Sequence, residues 1–239
     1  MTTMVSFIDL NADLGEGGFY DAELLAVVSS CNIACGGHAG DAASMRSTVA
    51  AALAHDVAIG AHPAYPDAKG FGRRSRYVGG DDLRLSLIGQ IQTLRKIAAE
   101  QDAVVTHVKP HGALYNDVVT DPGIAELVVS AVIEAAPEAE IVGMSGSELE
   151  GAAANRSLKF IAEAFVDRAY QDDGQLVPRT AAGAVHESLE VIVAQALSQS
   201  QKADTLCIHG DTPGCVEAAK AVRDALEKRG VEIRAIRRR

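Results

Sequence analysis

The sequence predicts an α/β protein built as a closed or nearly closed β/α barrel, a single domain over residues 1–239. Three observations carry this reading. β-like runs alternate regularly with helical patterns along the whole chain, nothing reads as a linker, and no GxGxxG loop follows the first strand to support a dinucleotide-binding open sheet.

Taken in order, the expected strands are Val5 to Ala12, Ser30 to Cys35, Ala58 to Ala61, Ala103 to Lys109, Glu140 to Ser145, Phe160 to Val166 and Thr205 to Gly210. Between them lie helical patterns at Asp21 to Ser29, Asp41 to His55, Asp81 to Glu100, Pro122 to Ala136, Ser147 to Asn155, Gly183 to Ser200 and Pro213 to Arg229. Start signals support several of these, among them Asp41 before an alanine-rich run, Asp121-Pro122 and Thr212-Pro213. Val231 to Ile236 is a candidate eighth strand.

Composition narrows the function classes. A net charge of -10 argues against a general nucleic-acid binder, and the one basic cluster, Arg234 with Arg237, Arg238 and Arg239, reads as a solvated end. No run of about 18 apolar residues suggests a membrane span, and MTTMVSFIDLNADLG lacks the features of a signal peptide. Cys31, Cys35, Cys207 and Cys215 fit no zinc ribbon or CxxC spacing, so a cytoplasmic protein with reduced thiols is expected.

Alternation along the strands locates the chemistry. In the fourth strand it puts Val104, Thr106 and Val108 on one face and Val105, His107 and Lys109 on the other, with Pro110 ending the ladder and His111 just beyond. In the first strand Ile8 and Leu10 oppose Asp9, Asn11 and Asp13. The second brings Asn32 and, past it, His38; the third ends at Gly60 and His62; the sixth aligns Glu163, Phe165 and Asp167; the seventh carries His209 and Asp211. A lone buried His or Asp is usually a satisfied core group. Polar groups converging from five strands or more on one end of a barrel instead mark a ligand site, because barrel interiors are normally filled by Val, Ile and Leu.

Histidines 38, 62, 107, 111 and 209 with Asp9, Asp13, Glu16 and Asp211 suit a divalent metal by ligand type, although no HExxH spacing accompanies them. Lys109 suits a developing oxyanion or a phosphoryl oxygen, flanked by His107 and His111 as proton carriers. Glycine-rich turns before helices at Cys35 to Asp41, Ser145 to Ser147 and Gly210 to Gly214 could cradle an anion, and no GxxxxGK[ST] loop is present. The loop from Ala61 to Arg74 reads either as a mobile cover that contributes an arginine or as a surface loop with a solvated charge pair.

These motifs resemble the LamB/YcsF family. The resemblance rests on Asp9-Leu10-Asn11-Ala12-Asp13-Leu14-Gly15-Glu16, on Asn32 through Asp41, on Gly60-Ala61-His62-Pro63 with Gly70-Phe71-Gly72-Arg73, on His107-Val108-Lys109-Pro110-His111-Gly112-Ala113-Leu114-Tyr115, on Glu163 through Arg168 with Asp173-Gly174 and Val177-Pro178-Arg179, and on His209 through Gly214. It departs at Gly37, where an aromatic is usual, and at Ala12, where cysteine is common. Members are identified as the A subunit of the bacterial three-component 5-oxoprolinase, with a fold similar to seven-stranded glycoside hydrolase and deacetylase barrels. The resemblance implies opening of the lactam of 5-oxo-L-proline to L-glutamate with ATP converted to ADP and phosphate, Mg2+ accompanying the ATP, and subunits B and C as partners.

Under that reading Lys109 and Arg73 meet anionic oxygens, and His107 or His111 moves protons. Asp13, His38, His62 and Asp211 serve the substrate, water or a metal, for which Asp13, His38 and His62 are the candidates. Asn11, Asn32, Glu163 and His209 complete the substrate contacts. Two alternatives stay open, a stand-alone metal-dependent hydrolase or deacetylase and a non-catalytic lactam-binding subunit.

Overall fold

The structure is a computed structural model that describes residues 6–75 and 79–236. Of the basic cluster at the C-terminus only Arg234 lies among the described residues, its guanidinium 3.8 Å above the Phe7 ring. Seven parallel strands close on themselves: β1 (Phe7–Leu14), β2 (Ser30–Ala34), β3 (Ala58–His62), β4 (Val105–Val108), β5 (Glu140–Met144), β6 (Phe160–Phe165) and β7 (Thr205–Cys207). They pair in chain order, and β1 seals the barrel by pairing with both β2 and β7. The eighth strand, β8 (Glu232–Ile233), pairs with the start of β1 outside the closed ring, so the barrel proper has seven strands.

Helices wrap this ring: α1 (Asp21–Leu25), α2 (Ala42–Ala54), α3 (Gly80–Ala99), α4 (Gly112–Thr120), α5 (Pro122–Ala135), α6 (Glu148–Asn155), α7 (Leu189–Gln199) and α8 (Cys215–Lys228). Ile8, Leu10, Ala12 and Leu14 of β1 and Ile33 of β2 pack outward against Leu87, Ile91, Val128 and Val222 of these helices in one continuous apolar layer. Among the described residues no helix is long and apolar enough to cross a membrane.

Three elements differ from expectation for identifiable reasons. Helix α4, absent from the expected helices, begins at Gly112 directly after Pro110-His111, because Gly112 takes φ +58° and turns the chain at once. Helix α7 starts at Leu189 rather than Gly183, since the preceding segment makes the antiparallel bridges Arg168↔Val185 and Tyr170↔Leu176. In β4 the ladder pairs Ile59 with Val105 but Gly60 with His107, so Thr106 is an extra, bulged residue. Strict alternation therefore fails there. Val105 joins Val108 in the outer apolar layer instead of sharing a face with His107, and Thr106 lines the barrel interior.

Candidate active site

Polar groups occupy the interior of this barrel at two levels, a lower and an upper storey, with apolar side chains among them. At the lower one, the Asp9 carboxylate accepts hydrogen bonds from Ser29 Oγ (2.6 Å), Ser30 Oγ (2.7 Å) and Thr205 Oγ1 (2.5 Å). Burial still raises the Asp9 pKa above its ordinary 3.8. His107 sits at this level, between Thr106 Oγ1 and Asn32 Oδ1, each 2.9 Å away. Its room comes from Gly60, where a Cβ would stand 2.2 Å from His107 Nε2. Burial drives the His107 pKa down to about 3, so the ring is neutral. The space left here, about 20 Å³, is enough for about one water.

Asn32 and Asn11 link the storeys. Asn32 Nδ2 donates to Asn11 Oδ1 and to Asp13 Oδ1, both at 2.8 Å, while Asn11 Nδ2 donates to Glu163 Oε1 at 3.0 Å. Above them Lys109, 1% exposed, places its ammonium 3.0 Å from Asp13 Oδ1, 2.9 Å from Glu163 Oε1 and 3.1 Å from Cys207 Sγ. Burial opposes its charge, yet Asp13, Cys207 and Glu163 outweigh burial and hold its pKa well above the ordinary lysine value. Likewise burial opposes the Asp13 carboxylate, but His62 and Lys109 keep its pKa well below 3.8. Lys109 is thus a fixed cation, aimed into a cavity of about 830 Å³ at the C-terminal ends of the strands.

Around that cavity stand two further groups. On one side Glu16, His38, His62 and His111 converge: Glu16 Oε1 is 2.7 Å from His38 Nε2 and 3.3 Å from His111 Nδ1, and the His38 and His111 rings stack at 3.6 Å. On the other side His209 Nδ1 lies 3.0 Å from both carboxylate oxygens of Asp167, and the His209 backbone N–H donates to Asp167 Oδ2. Burial opposes the Asp167 charge, but His209 lowers the carboxyl below 3.8. At the rim Asp211 is clamped by Arg73 (3.1 Å) and Arg179 (2.8 Å).

Asp13, His62, Arg73, Lys109, His111, His209 and Asp211 line the large cavity. Asn11, Asn32 and Glu163 lie beneath its floor and orient Asp13 and Lys109, His38 lies behind Glu16, and His107 is a storey lower. His107 therefore reaches a bound molecule only through Asn32. Sequence reading left out of its site Tyr115, whose buried ring lies under the Lys109 ammonium at 6.0 Å, as well as Asp167 and Arg179. Asp167 lies two residues beyond Phe165, the last residue of β6, and continues the alternation of Glu163 and Phe165 that had already pointed to it.

The loop with Arg73 is tied down rather than free. Asp67 accepts from Gly70 N–H, Phe71 carbonyl accepts from His111 Nε2, and Gly72 carbonyl accepts from Ala113 N–H. The turns before α2 and α6 are not open anion cradles, because Asp41 and Ser147 already cap those helices. At Gly37 a Cβ would stand 2.3 Å from Gln90 Oε1, so the Gln90 amide, bonded to both Ala64 N and Ala64 O, takes the space of a larger side chain there. Cys31, Cys35, Cys207 and Cys215 are buried and form no disulfide among the described residues.

The LamB/YcsF family model matches residues 8–239. The chain belongs to the LamB/YcsF family. The 5-oxoprolinase A subunit of Erwinia tasmaniensis is 41% identical, with 95% of this chain and 98% of that protein aligned. The crystal structure of a lactam utilization protein from Thermus thermophilus superposes with a TM-score of 0.89 at 37% identity, covering 96% of this chain and all of that one. The polysaccharide deacetylase Bc1974 from Bacillus cereus has a TM-score of 0.58 at 14% identity, covering 97% of this chain and 92% of that one, which shows a shared fold. In this LamB/YcsF barrel the fixed cation, the Asp-His pair and the rim arginines face one cavity.

Proposed function

We propose that this chain is the A subunit of a cytoplasmic 5-oxoprolinase that opens the lactam of 5-oxo-L-proline to L-glutamate, using ATP with Mg2+ and acting together with subunits B and C. The observation that carries the reading is the Lys109 ammonium, buried, charged and facing a cavity large enough for a lactam and a second group. A lactam is a poor electrophile, and transfer of a phosphoryl group from ATP to its carbonyl oxygen opens the carbonyl carbon to water. The ring C–N bond then breaks as the nitrogen takes a proton, and a second water hydrolyses the resulting acyl phosphate to glutamate and phosphate. Lys109 meets the negative charge on the carbonyl oxygen with no reorganisation, because Asp13, Glu163 and Asn11 already hold it.

His209, steered by Asp167 at Nδ1, moves protons between water and the ring nitrogen through Nε2. Arg73 and Arg179 attract the substrate carboxylate to the rim, exchanging it for Asp211. His107 is a positioning residue acting through Asn32. The test is glutamate release from 5-oxoproline and ATP with and without the partner subunits. Lys109→Ala and His209→Ala are each expected to lower turnover about 10²- to 10⁴-fold. No glutamate from the complete, folded mixture sinks the proposal.

One observation favours a second reading. The Glu16, His62 and His111 cluster suits a metal-dependent hydrolase acting alone, and ATP-independent amide or acetyl hydrolysis by the isolated chain would establish it.

A further inference from the structure

Tautomers in the His62–His111 pair are set by the backbone. His62 Nδ1 lies 2.8 Å from the Lys109 carbonyl, and His111 Nε2 lies 3.0 Å from the Phe71 carbonyl. A carbonyl oxygen only accepts, so both of these nitrogens carry the proton. With both rings neutral, the remaining nitrogens, His62 Nε2 and His111 Nδ1, present bare lone pairs, and they face each other at 3.0 Å. Carboxylate oxygens crowd the same point: Glu16 Oε1 is 3.3 Å from His111 Nδ1 and 3.8 Å from His62 Nε2, and Asp13 Oδ2 is 3.4 Å from His62 Nε2. Four acceptors converge with no donor among them, in a site that is almost wholly buried. Such a cluster is repulsive unless a cation fills it.

We propose that Glu16, His62 and His111 bind a divalent ion of the zinc class at the wall of the large cavity. The spacing suits the assignment. Ligand atoms about 2.0–2.1 Å from a tetrahedral ion stand roughly 3.3 Å apart, and the three mutual distances here are 3.0, 3.3 and 3.8 Å. Two imidazoles and a carboxylate favour zinc, cobalt or manganese over magnesium or calcium. A carbonyl holding the outer nitrogen of each histidine is the support that metal-bound imidazoles require. His38 Nε2–H donates to Glu16 Oε1 and orients it, and Asp13 is shared with Lys109. Of Asp13, His38 and His62, the set keeps His62 as a ligand, and it adds Glu16 and His111. Three protein ligands leave a fourth position open to the cavity, where water or a substrate oxygen can bind.

The experiment is calorimetric titration of the chelator-treated chain with Zn2+, alongside elemental analysis of the purified protein. One ion per chain is expected. His62→Asn and His111→Asn should each weaken binding by more than the about 100-fold that loss of an outer-shell partner costs. His55→Asn, at an exposed histidine on the C-terminal end of α2, should leave binding unchanged. No saturable Zn2+ binding by the folded chain overturns the proposal, since the two rings then share a proton instead. Binding that survives both substitutions overturns it equally, by placing the ion elsewhere. Should the variants not fold, proton NMR of the Co2+-loaded wild type decides. Strongly shifted imidazole N–H resonances from two histidines are expected, and their absence rejects the site.

Discussion

Replacing Lys109 by Met separates what this side chain does for the fold from what it does for the reaction. The ammonium contacts Asp13, Glu163 and Cys207 within 3.1 Å, and without it Glu163 keeps the Asn11 amide at 3.0 Å as its donor. Removing one partner of a buried ion pair typically costs about 3–5 kcal/mol, because the remaining charge stays buried and unpaired. Against a total stability of about 5–15 kcal/mol the variant should remain folded but unfold at clearly lower urea concentration, with an unchanged m value. Adding Glu163→Gln removes the stranded charge while keeping the acceptor for Asn11, so the double variant should regain roughly 0.5–3 kcal/mol relative to additivity. Glutamate release by the reconstituted complex should not return with it. A loss below about 0.5 kcal/mol in Lys109→Met would show that the charges are not coupled as drawn. Recovery of activity together with stability in the double variant would refute the role of Lys109 at the reacting oxygen.

Gly60→Ala should cost about 1–3 kcal/mol in urea unfolding, since its Cβ would stand 2.2 Å from a ring that cannot retreat past Thr106. Ser147→Ala removes the oxygen that accepts the Glu150 N–H and should lower stability by about 1 kcal/mol, measured by the same assay. Asp167 has a folded pKa below its ordinary 3.8, so its contribution to stability is present above that value and is lost as pH falls through the depressed pKa. The stability gap between wild type and Asp167→Asn should accordingly be flat from neutral pH down to about pH 4 and close below it. A gap that widens in acid would contradict the pairing with His209.

The inward positions of the site were readable because strand side chains alternate. Asp9, Asn11 and Asp13 fall on one face of β1 by spacing alone, and each does face the barrel interior. Height along the axis was not readable. His107 and Lys109 are two residues apart on one face, yet one is a neutral ring in a water-sized space and the other a cation at a large cavity. The bulge at Thr106 was also silent, because it needs neither glycine nor a positive φ and follows from how β4 meets β3. Loop residues were hardest to place. Glu16 and His111 lie outside the ladders, and only the closing of the barrel sets them against His62.

A polar barrel interior is costly, and the layering shows how that cost is confined. In the lower storey neutral hydroxyl, amide and imidazole groups surround Asp9, whose raised pKa reduces the charge there, and the second carboxyl, Glu140, is paired with Lys159. In the upper storey charges remain, and most are partnered: Lys109 by Asp13 and Glu163, Asp167 by the His209 N–H groups, Asp211 by two arginines, while Glu16 faces the paired histidines. Asn11 and Asn32 connect the layers because an amide donates and accepts at once, so each passes orientation upward without adding charge. The orientation of Lys109 therefore depends on groups a storey below it. Asn32→Ala should then lower turnover by loosening Asp13 and Lys109 while leaving the rim arginines in place, which an unchanged affinity for 5-oxoproline would report.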